Sequence, residues 1–142
     1  MIRLRVQGVM FNRDGKLLLV KHRKGGKEYY VLPGGGVEYG ESLVNALARE
    51  LKEELNIRKI FSAKFLGINE FIDGESNRHI IDLYYYVIAD LEEIRIVESD
   101  GIIVEFDFFH LSEIDKITVY PSSSFVRGLV EKSLGEVIEL RV

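Results

Sequence analysis

Cysteine is absent from the 142 residues, which excludes disulfide frameworks, thiol nucleophiles and cysteine-held zinc or iron–sulfur centres. Proline occurs only twice, and it and the 13 glycines fall mostly where elements begin or end. A basic surplus is missing too. Nineteen Lys and Arg face 23 Asp and Glu, a net charge of −4, whereas a general nucleic-acid binder carries a basic face. Met1 to Gln7 contain no apolar block of a signal peptide, and no run nears the ~20 apolar residues of a membrane span. What is present, 46% hydrophobic and 30% charged residues, suffices for a core and argues against disorder. The expectation is one domain over residues 1–142, cytoplasmic, with neither a nucleic-acid polymer nor a membrane as partner. The acids then raise a question: are they solvated surface, or are some gathered to hold metal?

Patterning supplies the elements. Leu4 to Phe11 and Leu17 to Val20 read as strands joined by the turn Asn12-Arg13-Asp14-Gly15. Lys21 to Glu28 reads as a basic, glycine-containing loop, Tyr29 to Leu32 as a brief strand, and Pro33-Gly34-Gly35-Gly36 as a loop. Ser42 to Leu55 predicts a helix with Ser42 as N-cap, an apolar stripe of Leu43, Leu47, Leu51 and Leu55, and Asn56 at the left-handed C-cap. Phe61 to Phe71 and Arg78 to Ala89 predict strands around an Asp73-Gly74-Glu75 turn, the second of them central. Ile102 to Phe109 predicts another strand, Pro121 to Leu134 a second helix, and Val137 to Val142 a final strand that is either an edge or a dimer contact. Hairpins mixed with crossovers favour a mixed sheet flanked by helices, an α/β or α+β class.

Chemistry concentrates in the first helix. Glu50, Glu53 and Glu54 stand at i, i+3 and i+4, so their carboxylates share an arc of roughly 100° on one face. Even one like-charge i,i+4 pair costs about 0.2–0.5 kcal/mol; a hard divalent cation would turn that repulsion into ligation. Acid-rich helix faces are also common without metal. Glu54 points toward Leu43 and Leu47, so it should be partly buried. Glu41, just before the helix, lies two turns ahead of Arg49, placed to lock the glycine loop against the helix.

Gly35, five residues, Glu41, seven residues, then Arg49-Glu50-Leu51-Lys52-Glu53-Glu54-Leu55-Asn56-Ile57 resembles the box of the Nudix hydrolases, with Asn56 in place of the family's penultimate glycine. Asn is the next most tolerant residue for a left-handed backbone. Tyr30 to Gly35 and Phe108 to Ile114 are similar to the family's lead-in and late strand. The resemblance implies a Nudix-type α/β/α sandwich that hydrolyses a nucleoside diphosphate linked to another group. It implies Glu50, Glu53 and Glu54 with the Gly34 carbonyl as ligands of Mg²⁺, with Mn²⁺ as a substitute, and Glu41 and Arg49 as orienting residues. The water-activating base is Glu53 or Glu54, or else a later acid, Glu98, Asp100 or Glu105.

Arg23, within Lys21-His22-Arg23-Lys24, and Arg78, beside His79, are candidate phosphate contacts. Tyr29, Phe71 and Tyr120 are candidate platforms for a base. Residues 71–73 lack the proline that ADP-ribose-cleaving relatives often carry there, which disfavours ADP-ribose; Phe71 only partly matches the Tyr of dinucleoside polyphosphate hydrolases. The alternative to an enzyme is a non-catalytic Nudix-fold module that senses a nucleotide or binds a protein. A homodimer stays open.

Overall fold

Alternation along Leu17-Leu18-Leu19-Val20 explains the architecture. All four side chains are buried, with Leu18 and Val20 in one core and Leu17 and Leu19 in the other. A strand that buries both faces must lie between two layers. The computed structural model describes residues 1–97 and 101–141, with 136–141 as backbone alone. Its strands are β1 (Ile2–Val9), β2 (Leu17–Lys24), β3 (Lys27–Val31), β4 (Gly34–Gly36), β5 (Ile60–Asp73), β6 (Arg78–Ala89) and β7 (Ile103–Phe109). Helices α1 (Leu43–Leu55) and α2 (Ser123–Arg141) flank them, and a 3₁₀ segment, Leu111–Lys116, precedes α2.

The described strands form two sheets, ordered β4-β1-β6-β5 and β3-β2-β7. β1 and β6 run parallel and the other pairs antiparallel, so the larger sheet is mixed. Leu47, Leu51 and Leu55 of α1 pack with Val6, Leu18, Tyr85 and Val87. Val126, Leu129 and Val130 of α2 pack with Val9, Leu17, Leu66 and Tyr84 on the opposite side. The result is the expected α/β sandwich, with β6 interior to its sheet. Among the described residues no helix is long and apolar enough to cross a membrane.

Three expectations are corrected. Lys21 to Glu28 is not a loop: β2 continues to Lys24, Gly25 and Gly26 turn at φ of 60° and 76°, and β3 begins at Lys27. Cross-strand pairs Lys21–Glu28 and Arg23–Glu28, at 3.4 and 3.3 Å, offset the charge of this ribbon. Gly34 to Gly36 is a strand rather than a loop, because bare backbone lets it press against β1; a Cβ on Gly34 would lie 1.9 Å from the Val6 carbonyl. Finally, residues 137–141 continue α2 instead of forming a strand. Local β propensity there yields to propagation of an existing helix, which adds one hydrogen bond per residue fixed. Val142 lies outside the described residues.

Candidate active site

α1 is fixed at both ends. The Ser42 hydroxyl accepts from the Asn45 N–H at 3.2 Å, and Asn56 adopts φ 59°, ψ 27°, its N–H reaching the Leu51 and Lys52 carbonyls. That geometry presents Arg49, Glu50, Glu53 and Glu54 beside β4.

Arg49 is the hub. Its Nε and Nη2 donate to the two Glu41 oxygens at 2.7 and 3.0 Å, a bidentate fork. Nη2 also donates to the Gly36 carbonyl at 2.9 Å, and Nη1 to Glu50 at 3.0 Å and Glu53 at 3.3 Å. Hydrogen bonds from Arg49 first, and then from the Glu38 backbone N–H, hold the Glu41 carboxyl down at about 2. Glu38 to Glu41 is thereby tied to the helix.

Glu50 is 14% exposed and Glu53 60%. The Glu50 carboxylate fills a notch at Gly35, where a Cβ would stand 2.4 Å from it. Glu54 is pushed up to about 8, by burial first and then by the charge and hydrogen bond of Glu50. Among the described residues no three acidic or imidazole groups stand in chelating arrangement; Arg49 draws Glu50 and Glu53 toward itself. The donor chemistry nonetheless fits a hard divalent cation: the side chains offer oxygens only, Glu50 is seated in a glycine notch, and a half-buried Glu54 stands beside it.

A cleft of about 480 Å³ opens between the two sheets. Tyr29 stacks on Tyr120 with centroids 4.3 Å apart and planes at 17°. Arg78 lies over the Phe71 ring at 5.5 Å. Tyr29, Phe71, Arg78 and Tyr120 all line the cleft. Arg23 does not: strand alternation sends His22 and Lys24 into the cleft and Arg23 away, to Glu28. His79 pairs with Glu70 at 2.8 Å, and Glu105 accepts from the Tyr30 hydroxyl at 2.8 Å. Glu98 and Asp100 lie outside the described residues.

Sequence reasoning passed over Arg5, Gln7, Asn69 and Asp82, which also line the cleft. Their signal was period-two polarity inside apolar strands. Burial pushes the Asp82 carboxyl up.

His22 is pushed down to about 4, by burial first and then by the charges of Arg5 and Lys24. The unfolded chain takes up this proton near 6.5, so between about 6.5 and 4 it binds more protons than the folded one. His22 therefore contributes stability above pH 6.5 that is lost as the pH falls to 4. Thermal melts of His22→Asn against the parent should show a gap that narrows across that window; a pH-independent gap would refute the assignment.

The NUDIX domain model matches residues 1–129. An ADP-ribose pyrophosphatase of Methanocaldococcus jannaschii is 32% identical over 114 residues, 79% of this chain and 64% of that protein. A NAD-capped RNA hydrolase NudC of Photorhabdus laumondii is 27% identical over 89% of this chain and 46% of that one. The chain thus spans less than two thirds of either relative. The crystal structure of a MutT NUDIX hydrolase from Burkholderia pseudomallei superposes with a TM-score of 0.73 at 27% identity, covering 93% of this chain and 98% of that one. The chain belongs to the Nudix family.

Proposed function

We propose that the protein is a divalent-metal-dependent hydrolase that cleaves the pyrophosphate linkage of a nucleoside diphosphate joined to another moiety: a nucleoside triphosphate, a dinucleoside polyphosphate or a nucleotide sugar. The observation that carries this reading is the Gly35 notch holding Glu50 beside the half-buried Glu54, within a family whose relatives are named as pyrophosphatases and hydrolases. Glu50, Glu53, Glu54 and the Gly34 carbonyl would hold Mg²⁺ or Mn²⁺. The bound ion supplies neutralisation of phosphate charge and a water of lowered pKa. Glu53, the most accessible of the three, takes the proton from the attacking water. Glu41 and Arg49 keep the helix acids and the loop in register. Tyr29, Tyr120 and Phe71 receive the base, and Arg78 offers charge to phosphate. Free cytoplasmic nucleotides suit the net charge of −4 better than polymers do.

The test is a panel of nucleoside triphosphates, dinucleoside polyphosphates and nucleotide sugars with Mg²⁺ or Mn²⁺, reading by chromatography the nucleoside monophosphate and its phosphorylated co-product, with and without EDTA. ADP-ribose belongs on it: residues 71–73 argue against that substrate, while the name of the archaeal relative argues for it. Turnover abolished by EDTA supports the reading. Nucleotide binding without turnover on any member favours the sensing module.

A further inference from the structure

The polar floor of the cleft carries more hydrogen-bonding capacity than the protein uses. β1 sets Arg5 opposite Asp82 and Gln7 opposite Tyr84, while β5 sets Asn69 opposite Asp82 and Phe71 opposite Ile80. Side chains two apart share a face. Phe71, Asp82 and Tyr84 therefore stand in three successive rows of one surface. Asp82 Oδ1 accepts from Gln7 Nε2 at 2.8 Å and lies 3.5 Å from Arg5 Nε, which leaves Oδ2 uncommitted by either. Tyr84 is 1% exposed, and its hydroxyl has no hydrogen-bond partner among the described residues. Tyr84 lines the cleft together with Asp82 and Arg5. Buried hydroxyls are nearly always paired, because an unpaired one costs stability. This floor is one partner short, below aromatic rims.

We propose that Asp82 and the Tyr84 hydroxyl read the edge of a purine ring. Asp82 accepts from a ring N–H or amine. Oδ2 takes that contact with the Gln7 amide still on Oδ1, and a local side-chain shift brings the hydroxyl to the neighbouring acceptor. The inference rests on the reading that the cleft takes the base half of a nucleotide. The purine follows from length. Adjacent rows are roughly 7 Å apart along the strand, so a ring lying against Phe71 and reaching the Asp82 row must bridge that distance. A fused bicycle does; a single six-membered ring falls short. On the Watson–Crick edge adenine presents its N6 amine beside N1 and guanine its N1–H beside O6.

The experiment is calorimetric binding of AMP, GMP, CMP and UMP in EDTA, so that neither metal nor turnover enters. The parent protein, Asp82→Asn and Tyr84→Phe are compared. The parent should take purines at least about tenfold tighter than pyrimidines. Each variant should lose about tenfold for purines and nothing for pyrimidines. Tyr84→Phe should also melt higher than the parent without ligand, and gain less from added AMP. A hydroxyl with only a structural role would move neither the purine preference nor the AMP-induced gain. Equal affinity for all four bases, or either variant keeping the full purine preference, overturns the inference. Turnover on the substrate panel beside such a result leaves the hydrolase standing; purine preference without turnover leaves the base reader standing. No binding of any nucleotide overturns the inference as well.

Discussion

Gly35→Ala is expected to lower kcat/KM by at least about 100-fold on whichever panel substrate turns over, because a displacement near 1 Å at a reacting site costs that much. The new Cβ would fall 2.4 Å from Glu50 Cδ and Oε2 and 2.7 Å from Oε1, closer than non-bonded atoms approach. Glu50 must move, and with it its 3.0 Å contact to Arg49. Backbone strain does not enter, since Gly35 is absent from the positive-φ glycines. Gly34 is the contrast: at φ 154°, with the Val6 carbonyl 1.9 Å from its virtual Cβ, its substitution attacks the fold. Gly35→Ala should therefore keep a thermal midpoint close to the parent's while weakening Mn²⁺ binding, measured by electron paramagnetic resonance. Full activity with undiminished Mn²⁺ affinity would remove Glu50 from the proposed ligand set.

How much of this was legible in the sequence depended on whether the signal was local. The α1 pattern, Ser42 and Asn56 lie within a few residues of what they control, and the structure places both caps as expected. The Glu41–Arg49 pair, two turns apart, forms at 2.7 Å. The Lys21–Glu28 ribbon was hidden because charge and glycine signal a loop equally well; only the pairing of His22 with Tyr29 and Lys21 with Tyr30 makes it a hairpin. β4 was hidden because three glycines carry no periodicity. The cleft floor was least legible of all. Gln7 and Asp82 come together only through the parallel β1–β6 pairing, a long-range contact that neither strand announces. Parallel neighbours need a crossover, and no short turn marks them.

Glu53→Gln is expected to reduce kcat by about 10²–10⁴-fold, the range that a positioned proton acceptor supplies. This variant separates chemistry from folding. Glu53 is 60% exposed, and its contact with Arg49 Nη1, at 3.3 Å, is the longest of that network's hydrogen bonds. An exposed pair of this kind contributes little to stability, so the melting transition should not move. Glutamine keeps the shape and removes the charge, so the lost activity reports proton transfer and ion binding. Repeating the assay across Mg²⁺ concentrations divides the two: a defect in holding the ion recovers at high Mg²⁺, and a defect in proton transfer persists there. Glu105→Gln is the paired measurement. That carboxylate accepts from the Tyr30 hydroxyl and stands 3.5 Å from Lys21 Nζ. It is committed to the small sheet, and its substitution should leave kcat unchanged. A fully active Glu53→Gln beside a dead Glu105→Gln would move the base from α1 to β7. Glu53 would then be a carboxylate that only balances Arg49.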